Sequence, residues 1–183
     1  MRPSSIFILL AVAVLLLHHH LLPGVEASVE KACREAAKSS RKINYDFCVA
    51  ELRPYPGSQV ANQKWLAVIA ASLTKDKATS ASYKVKGLLA NTSDTKTKKC
   101  LESCESIYED LLSDLKTSIL AIKEGRLRDA KTHLSAAVDA PSTCEQGFEE
   151  LKVPSPLNKE DSDLTQISTI ALAFTNVLGY LHA

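Results

Sequence analysis

Hydrophobic residues recur at alternating intervals of three and four positions in four segments of this chain. The clearest segment runs from Leu101 to Ile122, where the positions between the apolar residues are largely charged. This pattern is typical of an amphipathic helix that buries one face. The same period appears in Leu66 to Leu88, Leu127 to Leu151 and Leu164 to Leu181. Four stripes of this kind predict an all-α protein, a four-helix bundle with up-down-up-down topology.

Polar and turn-forming residues separate these segments. The predicted connectors are Asn91 to Thr95, a tight turn at Gly125, and Lys152 to Asp161, which contains two prolines. Pro141 falls inside the third segment and predicts a break or kink there. Ser162 or Asp163 is expected to cap the last helix.

A shorter helical unit is predicted ahead of the bundle. Val29 to Ser39 and Asn44 to Leu52 are helix-prone, and helices this short are marginal alone in water. A Cys33–Cys48 bridge would stabilise the pair by about 3 kcal/mol in the chain-entropy model. We interpret residues 28–58 as a disulfide-clipped helical hairpin and residues 59–183 as the bundle. The hairpin is expected either to offer a contact surface or to close one end of the core.

The amino terminus has the features of a secretory signal peptide. Arg2 is followed by twelve consecutive apolar residues, Ile6 to Leu17, and cleavage is expected after Ala27. A run of twelve is shorter than the roughly 17–25 residues that span a bilayer. Residues 1–27 are therefore predicted to be removed, and the remaining chain is expected to be secreted and not to associate with a membrane. The triplet His18–His20 lies in this segment and is given no function.

Composition and charge exclude several functional classes. The 22 Lys and Arg nearly balance the 21 Asp and Glu, which argues against nucleic acid as a partner. Beyond the signal peptide only His133 and His182 remain, and no catalytic sequence motif is found. The carboxylates fall on polar helix faces and are expected to be solvated rather than paired. These observations predict a binding protein without enzymatic activity, cofactor or metal.

Five cysteines remain in the predicted secreted chain, and an oxidising compartment favours disulfides. Two bridges among five thiols allow 15 arrangements, and the sequence alone does not select one. Cys100 and Cys104 share a helix face and resemble half of a metal site, but two further ligands are missing. A disulfide from one of them to Cys144 is favoured.

One N-glycosylation sequon is present, Asn91-Thr92-Ser93. It falls in a predicted loop, where an acceptor asparagine is accessible. Asn91 is therefore predicted to be glycosylated.

Several local strings, taken in order, resemble the plant invertase and pectin methylesterase inhibitor family. The resemblance covers essentially the whole predicted secreted chain. In detail the chain is most similar to the branch of invertase inhibitors that includes pollen allergens. The strings are Asn44-Tyr-Asp-Phe-Cys48-Val49, Cys104-Glu-Ser-Ile-Tyr108-Glu-Asp-Leu111, Leu134-Ser-Ala-Ala137, Thr143-Cys144-Glu-Gln-Gly147-Phe148, Ser155-Pro156-Leu157 and Gln166-Ile-Ser-Thr-Ile-Ala-Leu172.

The resemblance implies the bridges Cys33–Cys48 and Cys104–Cys144, with Cys100 as the odd thiol. Cys100 lies one helical turn from Cys104, so it competes with Cys104 for Cys144 in the alternative pairing. A monomer is expected, and a dimer linked through Cys100 is the alternative.

The resemblance also implies a function. A protein of this kind would non-covalently inhibit a secreted plant glycoside hydrolase, an acid invertase, in the cell wall or the vacuole. The alternatives are a pectin methylesterase as target and a non-inhibitory secreted bundle. Candidate contacts are the carboxylates of helix 101–122 and the basic residues between Lys84 and Lys99. Titration of Glu105 or Glu109 on docking would make inhibition depend on pH.

Overall fold

The computed structural model describes residues 28–181, and within that range the chain forms helices and loops without a β-strand. The hairpin comprises α1 (Ser28–Ser39) and α2 (Tyr45–Leu52), and a 3₁₀ turn at Ser58–Val60 follows it. Four long helices complete the fold. They are α3 (Gln63–Asn91), α4 (Thr95–Glu124), α5 (Leu127–Leu151) and α6 (Asn158–Leu181).

The four long helices form a closed ring in which α3 packs on α4, α4 on α5, α5 on α6, and α6 on α3. Local capping explains the starts of α3 and α4 and the end of α4. The side chains of Asn62 and Asp94 accept hydrogen bonds from the backbone N–H groups at the starts of α3 and α4. Gly125 ends α4 at φ 80°, a left-handed conformation that glycine adopts without strain. The predicted all-α, disulfide-braced bundle is confirmed.

The core consists of the apolar stripes that the sequence pattern picks out. Tyr108, Phe148 and Phe174 are the largest fully buried side chains, and the next largest are leucines and isoleucines. Alanines such as Ala137 and Ala171 are also fully buried. Small side chains at these positions let the helices approach closely.

The hairpin packs against the bundle rather than projecting from it. Val29, Cys33 and Leu52 are fully buried and belong to the same continuous core as the bundle helices. The amide of Gln166 in α6 fastens the hairpin loop. Its Oε1 accepts from the backbone N–H of Asn44 at 3.0 Å, and its Nε2 donates to the carbonyl oxygen of Lys42 at 2.8 Å.

Of the break or kink predicted at Pro141, the break is wrong, because α5 continues through this residue, and the kink stays a prediction. Pro141 has no N–H for the carbonyl one turn earlier. It is nevertheless buried on the same stripe as Ala137 and Phe148. Packing of both flanks on one core outweighs the loss of a single backbone hydrogen bond.

Two helix boundaries also differ from the sequence expectation. The last helix begins at Asn158 rather than at Ser162 or Asp163, and just ahead of it the Ser155 hydroxyl accepts from the Leu157 N–H. At the other connector α3 extends to Asn91, which leaves only residues 92–94 between α3 and α4.

None of the helices described between residues 28 and 181 is long and apolar enough to cross a membrane. The predicted signal peptide, its cleavage point after Ala27 and the His18–His20 triplet lie outside the described residues, as does His182.

Candidate functional site

A polar cluster with two buried and two half-buried members lies where α4, α5 and α6 meet. The Tyr108 hydroxyl of α4 donates to Asp161 Oδ1 of α6, and both residues are at least 97% buried. Glu145 of α5 is the neighbouring carboxyl, and the Ser155 hydroxyl donates to its Oε1 at 2.5 Å. Tyr108, Glu145, Ser155 and Asp161 are called the carboxyl cluster below. It contradicts the expectation that all carboxylates of this chain are solvated.

The local sequence explains how these groups come together. Tyr108 follows Cys104 by four residues, and Glu145 directly follows Cys144, so the Cys104–Cys144 disulfide joins α4 to α5 beside the cluster. Asp161 lies in the first turn of α6, where the helix dipole favours a negative side chain.

The environment of the cluster shifts its acid–base properties. Burial, as the largest cause, and the adjacent Glu145 carboxyl raise the pKa of Asp161 to about 8, although the hydrogen bond from Tyr108 acts in the opposite direction. Burial and the nearby Asp161 carboxylate also raise the pKa of Tyr108 well above its ordinary value, so its hydroxyl stays protonated. Asp161 Oδ2 is buried and has no hydrogen-bond partner among the described residues.

The cluster does not provide a metal site. Ligand atoms of Cys144, Glu145 and Asp161 lie within 4.8 Å of one another. The Cys144 sulfur is consumed in a disulfide, however, so two carboxylates remain. The Cys100–Cys104 pair does not provide two metal-binding thiols either, because Cys104 is bonded to Cys144 in the same disulfide.

An open groove of about 600 Å³ runs between α5 and α6 above the cluster. Its walls are polar or acidic, apart from Pro141. Its lining consists of Pro141, Ser142, Glu145, Gln146, Glu149, Asn158, Asp161, Ser162, Thr165 and Gln166.

A basic edge lies at the start of α4, formed by the exposed side chains Lys96, Lys98 and Lys99. Asp94 caps this helix by accepting from the Thr97 N–H at 2.7 Å, which fixes the first turn. The three lysines are therefore held on a rigid element.

The ion pairs between helices engage most of the other predicted contact residues. Lys86 of α3 lies 3.2 Å from Glu109 and 3.9 Å from Glu105 of α4. Lys84 of α3 pairs with Glu160 of α6 at 2.7 Å. The dependence of docking on Glu105 or Glu109 stays a prediction, with both carboxylates now placed against a lysine.

The five cysteines fall into two bridges and one thiol. Cys33 is bonded to Cys48 and Cys104 to Cys144, while Cys100 is free. The Cys100 thiol is 2% exposed, donates to the Gly147 carbonyl oxygen at 3.3 Å, and has a pKa raised by burial. A dimer linked through Cys100 is incompatible with this placement, because an intermolecular disulfide needs an accessible thiol.

Asn91 is the last residue of α3 rather than part of the loop. Its side chain is exposed and donates to the Gly87 carbonyl oxygen at 2.7 Å.

His133 is one of the two histidines that follow the predicted signal peptide. Its Nδ1 lies 2.9 Å from Asp114 Oδ1.

The carboxyl cluster is the feature that sequence reasoning missed. One signal for it exists in the pattern. Asp161 follows Leu157 by four residues and precedes Leu164 by three, which is a core-facing position occupied by an acid.

Comparisons with known proteins give a consistent result. The family described as plant invertase/pectin methylesterase inhibitor matches residues 27–174. A protein of Platanus orientalis named "Putative invertase inhibitor" is 36% identical over 152 residues, which cover 82% of this chain and 89% of that protein. "Pectinesterase inhibitor 8" of Oryza sativa subsp. japonica is 29% identical over 156 residues, 85% of each chain.

A solved structure shares the fold. The crystal structure of mutant form A of a pectin methylesterase inhibitor from Arabidopsis superposes with a TM-score of 0.66 at 23% identity. The match covers 78% of this chain and 95% of that chain.

Proposed function

This chain belongs to the plant invertase/pectin methylesterase inhibitor family, whose members are inhibitors rather than enzymes, and we propose that it is a secreted, non-covalent inhibitor of an acid invertase. The observation that carries the choice of target is the 36% identity to the Platanus orientalis protein over most of both chains. Residues 1–27 serve as the signal peptide in this proposal, with cleavage after Ala27. The secreted protein acts as a monomer in the cell wall or the vacuole and carries a glycan on Asn91.

The scaffold supports this mode of action. A bundle braced by two disulfides loses little conformational entropy on docking and presents a preformed surface. Reversible binding by rigid-body docking is the behaviour that such a surface favours.

Charge complementarity favours the basic edge as the contact surface. Glycoside hydrolases work with a pair of carboxyl groups in the cleft, which gives the cleft a negative potential. Lys96, Lys98 and Lys99 are exposed and close together in sequence on a capped first turn. Positive side chains here steer the inhibitor toward the cleft and oppose its charge.

A paired inhibition assay tests the proposal. Oxidised protein comprising residues 28–183 is titrated against a cell-wall acid invertase and a pectin methylesterase at acidic pH. Saturable loss of invertase activity alone is the expected result. If only the esterase loses activity, the alternative target is correct. If neither enzyme loses activity although the added protein is folded and has both disulfides, the inhibitor proposal is wrong.

Charge reversal tests the surface. Lys96→Glu combined with Lys98→Glu is expected to raise the inhibition constant by at least about tenfold and to weaken its dependence on salt. Lys116→Glu is the matched control, because Lys116 is an exposed lysine farther along the same helix. Equal effects of the control and the double variant would refute a role for the basic edge.

The esterase alternative has its own support in the 29% identity to the rice pectinesterase inhibitor over 85% of both chains. The same two titrations distinguish it, since both targets are assayed with one preparation.

A further inference from the structure

The junction of α4, α5 and α6 contains two carboxyl groups, the half-buried Glu145 and the buried Asp161, and one oxygen of Asp161 has no hydrogen-bond donor among the described residues. We propose that Glu145 and Asp161 share a single proton, which locks α6 onto α4 and α5, and that loss of this proton loosens α6. The lock is a pH-sensitive device built into the fold, separate from any contact with a target enzyme.

The hydrogen bonds of the carboxyl cluster support one shared proton. Tyr108 donates to Asp161 Oδ1, and Ser155 donates to Glu145 Oε1. Asp161 Oδ2 is left buried, and no donor reaches it in the described part of the chain. A buried carboxylate oxygen without a donor is costly. Carboxyl oxygens of Glu145 and Asp161 lie within 4.8 Å of each other, so a proton held between the two acids supplies the donor that this oxygen lacks.

The charges facing the pair do not replace that proton. On α5, Glu149 lines the same groove as Glu145 and adds a negative charge. On α6, Glu160 is adjacent to Asp161. The ammonium group of Lys84 of α3 pairs with Glu160 at 2.7 Å rather than with Asp161. On α4, Tyr108 is neutral. No lysine, arginine or histidine is among the described residues that line the groove.

The direction of the pH effect follows from the folded state. Burial and the adjacent Glu145 carboxyl raise the pKa of Asp161 from 3.8 to about 8, so between these values the folded chain binds more protons than the unfolded chain. Stability therefore falls as pH rises through this window, and the lock is fully open above it.

Other acids act in the opposite direction at lower pH. The pKa of Glu30 is lowered by its hydrogen bond to Arg53, and the pKa of Asp94 is lowered by the Thr97 N–H. Both contribute stability that is lost as pH falls below their unfolded values. Maximum stability is therefore expected in mildly acidic solution, between the titration of these acids and that of the lock.

Thermal unfolding between pH 5 and 8.5 tests the lock with oxidised residues 28–183. The melting temperature of the wild-type protein is expected to fall by roughly 5–10 °C over this range. Asp161→Asn mimics the protonated acid, since its Oδ1 accepts from Tyr108 and its NH₂ can donate to Glu145. This variant is expected to lose more than half of the pH-dependent shift.

Glu149→Gln is the matched control, because it removes a carboxylate from the same groove without touching the pair. It is expected to retain the wild-type slope. An Asp161→Asn protein with the full wild-type slope would overturn the proposal.

A measurement on the wild-type protein covers the case in which the variant fails to fold. Carboxyl ¹³C NMR is expected to show Asp161 titrating with a midpoint above about pH 6.5, far from ordinary carboxyl values. A midpoint near pH 4 for Asp161 would overturn the proposal. Neither readout involves an enzyme, so failure of inhibition would leave this test unaffected.

Discussion

The hairpin and the bundle of this protein are both helical but owe their stability to different interactions. α1 and α2 have 12 and 8 residues, whereas the bundle helices have 24 to 30. Long helices bury continuous apolar stripes against two neighbours each, and packing supplies most of their stability. Helices of about two to three turns cannot do this alone.

The hairpin compensates through links to itself and to the bundle. The Cys33–Cys48 disulfide joins α1 to α2, and the Gln166 amide ties the intervening loop to α6. Lys77 of α3 pairs with Glu51 of α2 at 2.9 Å. Helices in one protein can therefore be held by continuous packing in one region and by a few specific bonds in another.

Removing the bundle disulfide is expected to have the largest effect. In the chain-entropy model the 40-residue separation of Cys104 and Cys144 corresponds to about 4 kcal/mol. Cys104→Ala with Cys144→Ala should lower the urea midpoint for the whole fold, because the bond joins two core helices. Circular dichroism during urea unfolding measures this loss. A loss below about 1 kcal/mol would mean that packing alone holds α4 to α5.

Removing the hairpin disulfide is expected to have a smaller and local effect. The separation of 15 residues between Cys33 and Cys48 corresponds to about 3 kcal/mol. In Cys33→Ala with Cys48→Ala, hydrogen exchange should speed up in α1 and α2 while α3 to α6 keep their protection. Equal loss of protection in the bundle would show that the two regions form one cooperative unit.

The contrast between the regions was largely predictable, because it depends on local pattern. Alternating 3 and 4 spacings mark the bundle stripes, and the short helix-prone segments around Cys33 and Cys48 mark the hairpin. The break predicted at Pro141 was wrong because the rule that proline breaks helices considers only the missing backbone N–H. It takes no account of the core that packs on both sides of this residue. The outcome there was decided by packing, which a single segment does not contain.

The carboxyl cluster was not predictable in the same way. Tyr108 and Asp161 are separated by 53 residues, and Glu145 comes from a third helix. Periodicity places each residue on a helix face but does not state which faces meet, or at what height along the bundle. The acid at a core-facing position was visible, whereas its partners required the three-dimensional arrangement.

Loss of the Gln166 amide is expected to cost about 1–2 kcal/mol. Gln166→Met keeps the length of the side chain but removes the acceptor for the Asn44 N–H and the donor for the Lys42 carbonyl. Urea unfolding and hydrogen exchange in the loop at residues 40–44 measure the effect. The control is Gln146→Met, whose amide donates only to Glu150 one turn away and should change stability by less than about 0.5 kcal/mol. Matching losses in the two variants would show that the amide does not fasten the hairpin.

The ion pair between α2 and α3 is expected to give the smallest effect. Lys77 and Glu51 side chains are each 26% exposed, so solvent screens much of their attraction. A double-mutant cycle with Lys77→Met and Glu51→Gln isolates the pair from the contact between Lys77 and the Phe47 ring. The coupling should be about 0.2–1 kcal/mol at low salt and should shrink in 1 M NaCl, where the Debye length is about 3 Å. A coupling free energy above about 2 kcal/mol that persists in 1 M NaCl would contradict this and would make the ion pair, like the Cys33–Cys48 disulfide, a major contributor to the stability of the hairpin.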